Sequence, residues 1–294
     1  MSVMPKRDPL WTGADIVAAC GGRALGGTAW RAGGISIDTR TLRDGDLFVA
    51  LQGEAADGHA FVEAAFAKGA VAALVSDPDL AASAGPLVQV ADTLHGLEAI
   101  GRAARARSRA RIVSVTGSVG KTSTKEALRV VLGGQAKTHA AEASYNNHIG
   151  VPLTLARLPV DARYAVCEIG TNHPGEIEPL ARMTRAHVGV ITNVEAVHIG
   201  HFGTVDAIAE EKAKLFVGMD PALAGGPTAV LPRDSAHFFR LAQWADAAGV
   251  SRHVTFGLHE ESAYRLIGCD LEDTGSTVTA LAQGRELRYR LGAP

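Results

Sequence analysis

Thr116-Gly117-Ser118-Val119-Gly120-Lys121-Thr122 follows an apolar run, Ile112 to Thr116, and opens a stretch of helical period, Lys121 to Leu132. Glycines in such a turn let several backbone N–H groups point at one anion, and the helix start adds its positive end. Lys121 supplies a point charge for terminal phosphates, and the Thr122 hydroxyl suits a hard cation such as Mg²⁺. The general phosphate-loop pattern also has a glycine five residues before Gly120, where this chain has Val115. The shorter form excludes a strict match to the loop of kinases and GTPases.

Three further residues could act with this loop. Ala165-Val166-Cys167-Glu168 is an apolar strand ending in an acid, and strand ends line the ligand crevice of parallel sheets. Glu168 is therefore expected to face the phosphates and offer oxygen to Mg²⁺. His198 follows the strand that ends at Asn193, and Lys212 sits in the amphipathic run Ile208 to Phe216. From chemistry alone, neither stands out. A histidine there is usually structural, and a lysine on such a helix usually faces solvent.

These residues need a scaffold. Strands are expected at 35–38, 46–51, 70–75 and 87–90, with helices at 59–68 and 92–107. Gly69 and Asp92 read as caps. From Arg111 onward, strands at 112–116, 164–168, 187–193 and 228–231 alternate with helices at 121–132, 175–184, 204–216 and 234–248. The last forty residues read as short strands with turns. The pattern predicts an α/β protein: a small N-terminal α/β domain, 1–90, and a larger one, 91–294, built on a mainly parallel sheet.

The bulk properties narrow the function. A net charge of −2 gives no global field to recruit nucleic acid or an anionic membrane, so anionic ligands must be held locally. Cys20, Cys167 and Cys269 are widely spaced and form no CxxC pair, which argues against a zinc site or disulfide framework. No run approaches the length of a membrane span and no signal-peptide core appears. A cytoplasmic protein is expected.

TGSVGKTSTKE (Thr116 to Glu126), Tyr145-Asn146-Asn147-His148-Ile149-Gly150-Val151-Pro152-Leu153-Thr154, Glu168-Ile169-Gly170-Thr171-Asn172 with Gly175-Glu176-Ile177, and the His198 and Lys212 segments occur in that order. Together they resemble the Mur ligases, and among these the MurF-type members that add D-alanyl-D-alanine to a cell-wall precursor. The resemblance covers essentially the whole chain. It implies a nucleotide loop at 116–123 and a magnesium held by Thr122 and Glu168. It implies a second magnesium between Glu168 and His198, a carbamylated Lys212, and Asn146 and Asn147 near the phosphates and acceptor. Lys121, His198 and Lys212 would be the catalytic residues. It further implies that Asp38, Thr39, Arg40, Phe48, Asp57, Gly58 and His59 receive a UDP-sugar, although Asp38–Arg40 reads equally as a local ion pair and Asp57 as a helix cap.

The implied substrates are ATP, UDP-N-acetylmuramoyl-tripeptide and D-alanyl-D-alanine, with no nucleic acid or membrane partner and a monomeric state. The sequence departs from the family in two places. Pro232 stands where a nucleotide-contacting asparagine is usual, and the C-terminal Rossmann-like domain does not follow Pro294. A chain of this extent is expected to bind without turnover. Two other readings compete: a related ligase with a different acceptor, and a non-catalytic UDP-precursor or nucleotide-binding protein.

Overall fold

The computed structural model describes residues 9–292 apart from 54, 55, 81, 83 and 224. The chain divides into two compact units. One runs to Ala110 and takes in Ile149–Ala162; the other comprises Arg111–His148 and the chain from Arg163 onward.

The first unit opens with β1 (Trp11–Thr12) and α1 (Gly13–Cys20), whose start is closed by a capping box between Thr12 and Asp15. Then come β2 (Arg23–Leu25), β3 (Arg31–Ala32), β4 (Gly34–Ser36) and β5 (Asp46–Val49). A 3₁₀ turn, Gly58–Phe61, leads into α2 (Val62–Ala67), followed by β6 (Ala72–Val75), β7 (Leu87–Gln89) and α3 (Thr93–Arg107). Strands β4, β5, β6 and β7 run parallel in that spatial order, and β2 pairs antiparallel with β7. One sheet face carries the core: Phe48, Ala50, Val62, Ala65, Ala73, Val75 and Leu87 pack together.

β4 ends two residues earlier than its apolar pattern suggests. The Ser36 hydroxyl donates to the Asp38 carbonyl and accepts from the Asp38 N–H, so the backbone turns out of the sheet. The unit is also larger than the expected 1–90 domain. α3 packs with α1 and with the helix Gly150–Ala156, and a Trp11 indole N–H donates to the Ala156 carbonyl at 2.8 Å.

The second unit contains β8 (Arg111–Thr116), α4 (Lys121–Gly133) and β9 (Thr138–Ala140). The chain then visits the first unit through α5 (Gly150–Ala156) and returns at β10 (Tyr164–Glu168), α6 (Ile177–Thr184), β11 (Val188–Ile191) and the short α7 (Ile199–Phe202). It continues with α8 (Val205–Val217), β12 (Thr228–Pro232), α9 (Phe238–Ala247), β13 (Arg252–Gly257), β14 (Tyr264–Glu272), β15 (Gly275–Ala282) and β16 (Arg285–Leu291). Nine strands form one sheet in the order β16-β15-β14-β13-β12-β11-β8-β10-β9. The pairs from β9 through β14 are parallel, and β14, β15 and β16 form an antiparallel meander. The expected mixed α/β architecture with a mainly parallel sheet is what the chain adopts.

Val115, Val166 and Val190 from three adjacent strands make a dry ridge against Leu128 and Leu132 of α4. That contact fixes α4 on the sheet and so aims the turn before it. Among the described residues, no helix is long and apolar enough to cross a membrane.

Candidate functional site

The turn between β8 and α4 lies at the carboxyl end of a central strand, flanked by β10 and β11. Gly117 stands at φ +151 and is tightly enclosed, since a Cβ there would collide with the Thr192 hydroxyl. Gly120 caps α4 with φ +79. Both positions require glycine, which agrees with a backbone bent to collect N–H groups. Thr116 is fully buried and its hydroxyl has no partner. Val119 is 53% exposed at the tip, and Ser123 is exposed on the first turn of α4.

Lys121 folds back over this turn. Its ammonium donates to the Gly117 carbonyl at 2.8 Å and the Ser118 carbonyl at 3.2 Å. Burial lowers its pKa, and the Glu168 carboxylate partly offsets this. A phosphate offers stronger acceptors than two carbonyls, so this cation is poised to exchange partners.

Glu168 is 2% exposed at the end of β10. Its carboxylate accepts from the Thr122 hydroxyl at 3.0 and 3.2 Å and from the Asn146 amide at 2.8 Å. The Thr122 hydroxyl also lies 3.3 Å from that of Ser144. Gly170 makes room for Asn146, because a Cβ there would stand 2.8 Å from the Asn146 Cγ. The Gly170 N–H holds the Asn146 carbonyl at 2.8 Å. The structure thus gathers Thr122, Ser144, Asn146 and Glu168 from three segments into one group of oxygen donors and an amide. Such a hard-oxygen set fits Mg²⁺, which takes one or two protein ligands and fills the rest with water or phosphate. Asn147 is exposed beside this group.

His198 is exposed and caps α7 with a left-handed backbone, φ 59, and its ring makes no hydrogen bond among the described residues. No cluster of three or more His, Cys, Asp or Glu forms among those residues. The structure therefore brings Glu168 to Thr122 but shows no contact between Glu168 and His198.

Lys212 departs from the solvent-facing position that helix statistics suggest. It is 3% exposed on α8, which packs on α6. Burial lowers its pKa to about 8, the charge of Lys121 adds to the shift, and Glu211 opposes it. Glu211 is itself buried, and its carboxylate accepts from the N–H groups of Gly175 and Ile177, both at 2.9 Å. It thereby caps the start of α6 and holds α8 in the rotation that buries Lys212. Nothing in the sequence pattern marked Glu211 for this. Lys125 was likewise missed: it is fully buried, and its ammonium donates to the Ala141 and Ala143 carbonyls at 2.9 and 3.3 Å, tethering the segment that carries Ser144 and Asn146.

In the first unit, Asp38 and Arg40 form a forked ion pair, with Arg40 Nη2 2.6 Å from Asp38 Oδ2. The Arg40 side chain is 86% exposed, and hydrogen bonding to it holds the Asp38 carboxyl below the usual range. The Thr39 carbonyl accepts from Lys68, and the Gly58 N–H donates to the Leu51 carbonyl. His59 Nε2 accepts from the Ser76 N–H at 2.8 Å, so Nδ1 carries the proton and donates to Asp57 at 2.6 Å. Both ring nitrogens are engaged, and the ring organises the turn. Phe48 is 1% exposed in the core. Packing occupies the Phe48 side chain, and hydrogen bonding occupies both nitrogens of the His59 ring. At the end of β12, Pro232 pairs with Phe256 in the sheet, so the expected asparagine position holds an apolar ring at a strand end.

The Mur ligase middle-domain family matches residues 115–293, more than half of the chain, and the Mur ligase family catalytic domain matches residues 31–108. The chain belongs to the Mur ligase family. It is 40% identical over 232 residues to the UDP-N-acetylmuramoyl-tripeptide–D-alanyl-D-alanine ligase of Synechocystis sp., covering 78% of this chain and 49% of that one. It is also 40% identical over 188 residues to the corresponding Escherichia coli ligase, covering 63% of this chain and 40% of the relative. The crystal structure of MurF from Acinetobacter baumannii superposes with a TM-score of 0.83 at 28% identity, over 98% of this chain and 61% of that one. This Mur ligase chain spans about half the length of the curated relatives it matches.

Proposed function

We propose that the chain carries the precursor-binding and nucleotide-binding parts of an ATP-dependent, ADP-forming ligase. The reaction joins D-alanyl-D-alanine to UDP-N-acetylmuramoyl-tripeptide for peptidoglycan synthesis in the cytoplasm. The observation that carries this reading is the junction of the phosphate turn with Glu168, Thr122 and Asn146, with a buried Lys212 in the same unit. The Asp38–Arg40 and Asp57–Gly58 turns of the first unit are the proposed contacts for the UDP-sugar. A monomer is sufficient for this arrangement.

The proposed reaction has two steps. A terminal carboxylate oxygen of the tripeptide attacks the γ-phosphorus of ATP, and the bond to ADP breaks. The amine of D-alanyl-D-alanine then attacks the acyl carbon, phosphate leaves, and the nitrogen gives up a proton. Phosphoryl transfer of this kind depends on positioning and charge neutralisation. The N–H groups of Gly117 to Thr122 would cradle the phosphates, and Lys121 would leave its carbonyl partners for the terminal phosphate. Magnesium, when bound by Thr122 and Glu168, would neutralise charge on the phosphate oxygens. His198 is the proposed ligand of a second ion. Lys212, with its pKa near 8, has an appreciable neutral fraction at mildly alkaline pH. A neutral amine can take up CO₂, and the resulting carbamate would place an anion beside Lys121 and remove the repulsion between the two lysines.

Titration calorimetry with UDP-N-acetylmuramoyl-tripeptide, UDP-N-acetylmuramic acid and Mg²⁺-ATP tests the proposal. Binding of nucleotide together with preference for the tripeptide form is the expected result. Nucleotide binding without any response to UDP-sugars would favour a related ligase with another acceptor.

A further inference from the structure

The segment after β11 grips the phosphate turn from one side. The Ser118 N–H donates to the Asn193 carbonyl at 3.2 Å, and the Val119 N–H donates to the Asn193 side-chain oxygen at 2.9 Å. The Thr192 hydroxyl donates to the Val119 carbonyl at 2.6 Å. The Ser118 hydroxyl does two things at once. It donates to the Glu195 carbonyl at 3.0 Å and accepts from the Glu195 N–H at 2.9 Å. Its side chain therefore turns away from the space a phosphate would fill and clasps the backbone three residues before His198. Two N–H groups suited to an anion, those of Ser118 and Val119, are meanwhile occupied by Asn193.

We infer that Ser118 and Asn193 are positioning residues that couple occupancy of the phosphate turn to the segment bearing His198. This inference rests on the nucleotide reading above. A phosphate entering the turn must compete with Asn193 for the Val119 N–H and with two carbonyls for Lys121. Each exchange changes what the turn asks of residues 192–195, and the paired hydrogen bonds of Ser118 carry that change to Glu195. From there the path is short. The Val197 N–H donates to the Glu195 carbonyl at 2.7 Å, and His198 follows directly in a left-handed conformation. The coupling is reciprocal, as any linkage between two binding events must be. A group held at His198 would favour the nucleotide-bound form of the turn.

Hydrogen–deuterium exchange across residues 192–201, with and without Mg²⁺-ADP, reads this coupling directly, and calorimetry gives ADP affinity in parallel. In the parent chain, ADP is expected to change exchange at Val194 to His201. With each chain saturated by Mg²⁺-ADP at its own measured affinity, Ser118→Ala removes both hydrogen bonds to Glu195, and the response at 194–201 should disappear. Ser118→Thr restores a hydroxyl and should restore the response. Asn193→Ala should blunt the response through the other contact, with thermal melting reporting whether each variant remains folded. A Ser118→Ala chain that binds ADP and responds at 194–201 like the parent overturns the coupling alone. A parent chain that binds no ADP overturns the nucleotide reading and the coupling together.

Discussion

The two units treat their polar residues differently. In the first, the candidate ligand contacts satisfy one another: Arg40 clasps Asp38, and His59 is held between Asp57 and Ser76. In the second, the cations keep an electrostatic cost: Lys121 is half-buried and only partly offset by Glu168, and Lys212 is buried with Glu211 only opposing the shift. Lys121 leans on carbonyls, the Thr116 hydroxyl has no partner, and Lys212 is buried with a second cation raising the cost of its charge. Self-satisfied pairs of this kind mainly shape local backbone. A buried cation that neighbouring carboxylates offset only in part carries a residual cost that an anionic ligand would reduce. The contrast places the demand for an anion in the second unit.

Substitutions should break or sharpen that contrast. The largest effect is expected from Lys121→Met, which should weaken Mg²⁺-ADP binding on the order of 100-fold, as expected for a lost charge-assisted contact. Calorimetry checks it, and binding within a few-fold of the parent would show that the backbone N–H groups suffice.

Lys212 makes a prediction about pH. Its folded pKa, about 8, lies below its ordinary value of 10.5, so folding penalises the protonated form. That penalty is fully present below pH 8 and is relieved as pH rises toward 10.5, so stability should climb across this window. The size implied is about 3 kcal/mol. Lys212→Met should stabilise the chain near pH 7 and flatten the alkaline rise, as followed by denaturant unfolding between pH 7 and 10. An unchanged slope would mean that the ammonium is solvated.

Glu211→Ala leaves the N–H groups of Gly175 and Ile177 without their shared acceptor. A cost of about 1–3 kcal/mol is expected, visible as a lower melting temperature. The smallest effect belongs to the first unit. Arg40→Ala removes a guanidinium that is mostly in water, so the melting curve should barely move. If UDP-sugar affinity nevertheless falls in calorimetry, Arg40 serves the ligand rather than the fold.

Much of the site was legible because its chemistry is local. A glycine turn between a buried strand and a helix can be read from a dozen residues, and Glu168 follows from an apolar strand that ends in an acid. The parallel sheet was equally legible from alternating strand and helix patterns. Other features were hidden because they depend on distant segments. α5 is an apolar run that could have served either unit, and its place in the first depends on packing against α3 and the hydrogen bond from Trp11. Pattern alone put Lys212 on the solvent face, since hydrophobic period describes one helix and not what covers its far side. The covering comes from elements distant in sequence that pack on α8, among them α6, whose first turn Glu211 caps.

The sequence by itself therefore determined the phosphate turn, the acid at the end of β10, the α/β architecture and the resemblance to the Mur ligases, because each is written in short-range spacing. Only the tertiary structure decided that Phe48 packs in the core of the first unit and that both nitrogens of the His59 ring are engaged within the fold. It also decided that Lys212 is buried near a second cation, and that residues 192–195 clasp the turn through Ser118. These outcomes depend on which surfaces exclude water and which partners a polar atom meets across the chain, and neither is a property of neighbouring residues.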